Sequence, residues 1–194
     1  MQVTYYFDPL CPFTWRTSRW LVKVAPERDL DIHWRPFSLA ILNGGLANAP
    51  EQWRAPAEAS FSALRLIASL SGSPEGDAAI GRFYTEIGNR THGADAPISA
   101  EIVLAAAEAA GIEDTKALHD ESLDAAVRES HDEAFQSAGP DIGSPVLWPE
   151  GAPRGVHGPI IGPVPDVDEA VKIWDAVAVL AAGDTVFEVK RGRP

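Results

Sequence analysis

A single cysteine, Cys11, stands in a chain of 194 residues, so no disulfide can close within it. The opening stretch, MQVTYYFDPL, has neither the basic start nor the leucine-rich run of an export signal. Both points set the expectation of a reducing, cytosolic location. Lysine and arginine are scarce, 16 against 28 acidic residues for a net charge of −12. A nucleic-acid footprint needs a basic face, and no dense basic stretch exists to supply one. The acidity is read as a contribution to solubility. No apolar run approaches the roughly 18 residues of a membrane span, so no membrane partner is expected. Internal repeats and low-complexity segments are also lacking. There is no G-x-S-x-G nucleophile elbow, and Gly44-Gly45-Leu46 lacks the Lys-Ser/Thr of a phosphate loop. His131 has Phe135 where a helical metal ligand would want its partner, so it reads as part of a solvated helix face and no metal is expected.

The patterns that are present are regular ones. QVTYYF (2–7) is β-rich, with Val3, Tyr5 and Phe7 alternating. DPLCP breaks the strand, and Pro12 suits the first turn of a helix that is expected to run to about Val24 and stop at Pro26. DIHWRPF (31–37) is a second strand with Ile32 and Trp34 on one face. Two strands around one helix predict a right-handed βαβ unit with parallel strands. From Pro50 to about Ala138 the signals are helical. EASFSALRLIASL is amphipathic, GRFYTEIGNR reads as a shorter helix, and SAEIVLAAAEAAG opens on an N-cap serine, Ser99, and closes on Gly111. ESLDAAVRESHDEAFQSAG puts Leu123, Ala126, Val127 and Ala134 on one face and ends at Gly139. Strand signals return in GSPVLW and VHGPII. Asp166 then caps an amphipathic helix ending at Gly183, and VFEVKR follows as a short strand or an extended tail. The order β-α-β, helical block, β-β-α is that of an α/β, thioredoxin-like fold with an all-helical insertion. Residues 1–42 and 141–194 would form the thioredoxin-like domain and 43–140 the insertion.

Cys11 falls between the first strand and the first helix, as the expected N-cap. The first-turn N–H groups, such as those of Phe13 and Thr14, and the positive end of the helix dipole would face its sulfur and favour the thiolate. Thr14, one turn on, is placed to donate a hydroxyl hydrogen bond to the same sulfur. The bland alternative is a small buried hydrophobe, but the strand–Cys-Pro–helix context favours a reactive thiol. In DIGSPVLW, Pro145 after Ser144 sits where a thioredoxin fold places a cis-proline opposite its cysteine. A cis X-Pro bond exposes the backbone of the preceding residue, which can pair with an extended thiol ligand as a strand would.

FDPLCPFTWRTSRWL, SLAILN, GNRTH, DIGSPV and FEVKR together resemble the DsbA-like thiol oxidoreductases of actinobacteria, and within them the mycothiol-dependent nitroreductase group. The resemblance spans most of the chain. It implies a thioredoxin fold with a helical insertion, a cytosolic location and mycothiol as the thiol partner, with glutathione as the alternative. Members typically carry Cys-Pro-Trp-Cys where this chain reads Cys11-Pro12-Phe13-Thr14. The same resemblance implies a thiol pocket lined by Pro12, Phe13, Asn43, Trp53 and His92, with Ser144 and Pro145 opposite the sulfur. Taken alone, Asn43 could be a turn former, Trp53 a core anchor of the insertion and His92 a surface loop histidine.

One sulfur permits three functions. In a monothiol cycle Cys11 forms a mixed disulfide with a small thiol, and a second thiol molecule releases it. In a kappa-class-like transferase, isomerase or reductase of electrophiles, Cys11 or Thr14 would instead activate a bound thiol without bonding to it. The third possibility is a non-catalytic thiol-binding domain. The monothiol oxidoreductase is the reading the residues favour. They leave open whether the chain is a monomer or a homodimer.

Overall fold

A computed structural model of the chain describes residues 1–192, so the last two residues of the expected 141–194 segment lie outside the described residues. Strand β1 (Gln2–Phe7) occupies an inner position in a four-stranded sheet of order β2-β1-β3-β4. It pairs in parallel with β2 (Asp31–Pro36), with Val3 beside Ile32 and Tyr5 beside Trp34. On its other side it runs antiparallel to β3 (Val146–Pro149), which pairs with the two-residue β4 (Val156–His157). Helix α1 (Pro12–Arg28) makes the expected crossover. This is the mixed α/β, thioredoxin-like architecture anticipated from the element order.

Alternation along β1 divides the core. Val3, Tyr5 and Phe7 join Trp34, Trp15, Trp20, Tyr84 and Leu147 in the larger hydrophobic cluster, and Tyr6 joins Phe37, Ala134 and Val146 in a smaller one on the opposite face. Aromatic rings fill the larger cluster: Tyr84 stacks on Phe7 at 4.2 Å and meets Trp15 edge-on at 5.4 Å. Helix α7 (Val167–Ala181) closes this face against α1, where the Trp20 indole N–H donates to the Ala170 carbonyl at 3.0 Å.

Between β2 and β3 the chain forms α2 (Leu39–Leu42), α3 (Glu51–Leu70), α4 (Pro74–Arg90), α5 (Ala100–Ala109) and α6 (Asp124–Ala138), with short 3-10 turns among them. Ser99 caps α5 by accepting from the Ile102 N–H, and Asp166 caps α7 by accepting from the Glu169 N–H. Gly111 and Gly139 end α5 and α6 with φ of +76° and +97°, a region open to glycine at no steric cost. Among the described residues no helix is long and apolar enough to cross a membrane.

Four expectations need correction. Helix α1 passes through Pro26 to Arg28 before Asp29 turns left-handed at φ 50°. A proline in the last turn removes a single intrahelical bond, which is not enough to end the helix. Helix α4 is longer than GRFYTEIGNR, because Ser73 caps it from the Gly76 N–H and Pro74 opens its first turn. The strand expected in VHGPII is confined to Val156–His157, after which Gly158 turns to φ +98°; VFEVKR, read as a strand or a tail, forms no strand, which leaves the tail. His131 is buried rather than solvated. Its Nδ1 accepts from the Ser38 N–H at 3.3 Å, its ring lies 4.5 Å from that of Phe37, and burial lowers its pKa. The face of α6 that carries His131 and Ala134 is therefore packed against the sheet, although the helix lies within the expected insertion.

Gly88 of α4 marks the closest approach of helix to ring, since a Cβ there would lie 2.2 Å from the Trp15 indole. Gly88→Ala is expected to lower stability by about 1–3 kcal/mol through overpacking. Thermal unfolding should show a melting point lower by about 2–4 °C per kcal/mol, and an unchanged transition would show that the indole has room to move.

Candidate functional site

Strand β1 delivers its C-terminal end to the loop Asp8–Cys11, and α1 begins at Pro12. The turn is closed by the Cys11 N–H donating to the Asp8 carbonyl at 3.0 Å. Cys11 is the N-cap residue of α1, extended at φ −84° and ψ 115°, and 7% exposed. Its side chain makes no cap hydrogen bond, which corrects the expectation that the first-turn N–H groups face the sulfur. The Cys11 thiol donates instead to the Ser144 carbonyl at 3.8 Å. A carbonyl oxygen accepts from S–H but repels a thiolate, so this is the geometry of the protonated form. Loss of the proton removes the attraction to Ser144 and leaves the helix end as the favourable neighbour.

Thr14 is fully buried, and its hydroxyl lies 2.8 Å from the Ser144 hydroxyl. That oxygen-to-oxygen bond is stronger than one to sulfur and takes the hydroxyl expected to point at Cys11. The Ser144 hydroxyl also accepts from the Asp8 N–H at 3.3 Å. The Ser144–Pro145 peptide bond is cis, as expected. Cys11, Thr14 and Ser144 are therefore one hydrogen-bonded group, with Pro145 covalently adjoining.

His92, in the loop after α4, lies at the same end. Its Nε2 donates to the Pro9 carbonyl at 2.9 Å, which leaves Nδ1 without the proton when the ring is neutral, and its ring sits 6.3 Å from Trp15. Desolvation lowers its pKa, against the Pro9 carbonyl which raises it, with Arg16 adding a smaller lowering. Phe13 is half-buried in the first turn of α1, with the Arg16 guanidinium 6.0 Å from its ring, and Pro12 is exposed beside it. Among the described residues, Asn43 and Trp53 make no side-chain hydrogen bond to this group. Asn43 is exposed at the end of α2, where its amide donates to the Leu39 carbonyl at 2.7 Å. Trp53, in the first turn of α3, is 52% exposed and so is not the core anchor that was its alternative.

The residue that sequence reading missed is Asp8. It is 2% exposed, and its carboxylate accepts from the Leu10 N–H at 2.8 Å, the Leu39 N–H at 2.7 Å and the Ser60 hydroxyl at 2.5 Å. Burial raises its pKa, with the Ser60, Leu39 and Leu10 hydrogen bonds pulling the other way. The available signal was an acid enclosed between YYF and PLC, a stretch otherwise apolar. Among the described residues no group of three or more His, Cys, Asp and Glu side chains could hold a metal ion.

The sequence profile of the family described as Rv2466c-like, mycothiol-dependent nitroreductase Rv2466c, matches residues 10–191. A Mycobacterium tuberculosis protein described as uncharacterized protein Rv2286c is 29% identical over 194 residues, covering 97% of this chain and 81% of its own length. Among solved structures, a 2-hydroxychromene-2-carboxylate isomerase superposes with a TM-score of 0.59 at 16% identity, covering 93% of this chain and 96% of that one. The cytosolic disulfide reductase DsbM from Pseudomonas aeruginosa follows with a TM-score of 0.58 at 15% identity, covering 93% of this chain and all (100%) of that one. These structures share the DsbA-like thioredoxin fold with this chain.

Asp8 yields a pH prediction. An acid whose folded pKa is raised binds its proton more tightly in the folded state, so stability falls as pH rises from the ordinary carboxylate value through the folded one. The stability of wild type minus that of Asp8→Asn is expected to shrink as pH rises from about 4 to 7. Denaturant titrations at a series of pH values measure this difference, and a difference that grew with pH would contradict it.

Proposed function

Because the chain belongs to the Rv2466c-like family of mycothiol-dependent nitroreductases, we propose that it is a cytosolic oxidoreductase in which Cys11 works alone, in a mixed-disulfide cycle with a low-molecular-weight thiol. The observation that carries this reading is the position of Thr14. The family's resolving cysteine would stand there, and its hydroxyl is bonded to Ser144 at 2.8 Å. With Cys11 the one cysteine in the chain, its only possible disulfide partners come from outside.

The cycle balances in two exchanges. The Cys11 thiolate attacks one sulfur of a disulfide, the S–S bond breaks, and the other half leaves as a thiolate that takes a proton. A second small thiol, ionised, attacks the non-protein sulfur of the mixed disulfide, and Cys11 departs as the thiolate. The net change is an exchange of thiol partners, with no oxidant or reductant consumed by the protein. Attack requires the sulfur to leave the Ser144 carbonyl, which the loss of its proton drives. Ser144, with its hydroxyl held by Thr14 and Asp8, keeps the carbonyl in place to accept from an amide of the bound thiol once Cys11 has turned away. Mycothiol is the thiol that family membership favours. Glutathione is the alternative; a structure of DsbM is described with GSH. In this reading segments 1–42 and 141–194 supply the sulfur and the Ser144–Pro145 bond. The 43–140 segment supplies walls through His92, Asn43 and Trp53, and Phe13 of the first turn of α1 completes them, all facing the thiol and its substrate.

A second reading has its own support. Cys11 is buried, and Ser144, whose carbonyl accepts from its thiol, also carries a hydroxyl bonded to that of Thr14. Such a site could hold a cofactor thiolate by hydrogen bonds, as a transferase or isomerase would, without bonding to it.

Two variants separate these readings. Incubation of the wild type with oxidised mycothiol or glutathione should give an adduct of one thiol on Cys11 by intact mass. Cys11→Ser should lose both adduct and thiol-dependent turnover by at least about a hundredfold, and retained turnover would favour the transferase reading. Thr14→Cys rebuilds a Cys-x-x-Cys pair, so the adduct should no longer accumulate and an internal disulfide should form instead. A persistent adduct in that variant would show that position 14 cannot reach the sulfur.

A further inference from the structure

Arg19, near the middle of α1, carries a cation that the fold does not neutralise. Its guanidinium stacks over Trp15 at 4.2 Å from the ring. Nε donates to the Ser18 hydroxyl at 3.2 Å and Nη1 to the Thr85 hydroxyl at 2.8 Å, while Nη2 is buried without a hydrogen-bond partner. Among the described residues no carboxylate forms an ion pair with it. The chain does not lack acids: Arg28, Arg35, Arg65 and Arg90 are paired with Asp175, Glu133, Asp124 and Glu86. Removing a cation from water without an anion is costly, and stacking on an indole returns only part of that. The Tyr84 hydroxyl, fully buried in the same aromatic layer, is also without a partner. Ser18, within electrostatic reach of that phenol, directs its hydroxyl to the Trp15 carbonyl at 2.7 Å.

One group in this region gains negative charge in the proposed cycle. Cys11 precedes Arg19 by two turns on the same helix, with Trp15 between them, and helical side chains lean toward the N-terminus. The two groups are thus on the order of 10 Å apart. The phenols of Tyr5 and Tyr84 lie within electrostatic range of both Cys11 and Arg19. The other titratable groups facing Cys11 oppose the thiolate or leave it unaffected. Asp8 is a buried acid of like charge, Tyr5 and Tyr84 are held neutral by burial, His92 is held neutral by desolvation, and Arg16 is exposed to water.

We propose that Arg19 is a positioning residue for the Cys11 chemistry, kept without a carboxylate partner so that its charge, acting across the Trp15–Tyr84 layer, is balanced by the ionised sulfur. This deepens the reading of Cys11 as the reacting thiol and rests on it. A carboxylate beside Arg19 would relieve the buried charge and cancel its effect on the sulfur. The stacking and the Thr85 bond hold the guanidinium in a low-dielectric layer where the charge is felt over several ångströms.

Alkylation by iodoacetamide, followed across about pH 5 to 10, tests the inference without requiring turnover. The pH midpoint for Arg19→Met should lie about one unit above that of the wild type, with roughly tenfold slower alkylation below the wild-type midpoint. Arg19→Lys, which keeps the charge, should stay close to the wild type. A folded Arg19→Met with an unmoved midpoint, or a Lys variant displaced as far as the Met variant, overturns the proposal and leaves Arg19 a packing residue. Should Arg19→Met not fold, the wild type and Cys11→Ser are compared by thermal unfolding against pH. A thiolate stabilised by Arg19 makes the wild type gain on the serine variant as pH rises through the thiol midpoint, and a constant gap overturns the proposal. An Arg19-dependent alkylation profile combined with full turnover in Cys11→Ser would sink the covalent cycle and leave the role of Arg19 standing.

Discussion

The site depends on one buried carboxylate. Asp8 accepts from the Leu10 N–H, the Leu39 N–H and the Ser60 hydroxyl. Its own backbone accepts from the Cys11 N–H and donates to the Ser144 hydroxyl. The end of β1, the start of α1, the exit from β2, helix α3 and the loop before β3 therefore meet on a single residue. Three of these contacts use the two carboxylate oxygens, so no neutral side chain of the same size satisfies all of them. A lost acceptor would leave buried donors unpaired, at about 1–3 kcal/mol each. The desolvation that raises the Asp8 pKa is the cost of joining the helical segment to the sheet where the cysteine emerges.

From this junction the departure from the family's dithiol pattern looks conservative. Thr14 fills the place of a resolving sulfur with a hydroxyl that bonds Ser144, and Ser144 in turn accepts the thiol of Cys11 through its carbonyl. The hydrogen-bond frame around the sulfur is thus complete without a second cysteine. In the proposed monothiol cycle the loss falls on intramolecular resolution, a chemical step, and not on this frame.

Much of this was legible in the sequence, for identifiable reasons. The βαβ start followed from alternation in QVTYYF and DIHWRPF, the helix ends at Gly111 and Gly139 from glycine's access to positive φ, and the caps at Ser99 and Asp166 from side chains that satisfy first-turn donors. The cis Ser144–Pro145 bond followed from topology. What failed were inferences about direction. With Phe135 where a second metal ligand would stand, His131 reads as part of the wet side of α6, yet its ring packs on Phe37. Thr14 and Cys11 were expected to face one another, but both turned to Ser144, some 130 residues away in sequence. Asp8 read as a strand breaker because its partners, Leu39 and Ser60, come from elements with no local signal of proximity. A periodic pattern reports which face is apolar. It does not report which distant polar atom will complete a hydrogen bond.

The buried Asp8 and the part-buried Arg19 act in opposite directions on the sulfur. Asp8, on the loop side, holds the loop in place but adds negative charge close to a group that must become negative. Arg19, on the helix side, adds the opposite charge behind an aromatic layer and is paired with no acid. If Asp8 alone were present, the frame that positions Cys11 would also oppose its ionisation. An unpaired cation stacked on that layer is a direct physical remedy, and in this proposal it accounts for a part-buried arginine left without a carboxylate in a chain with 28 acidic residues.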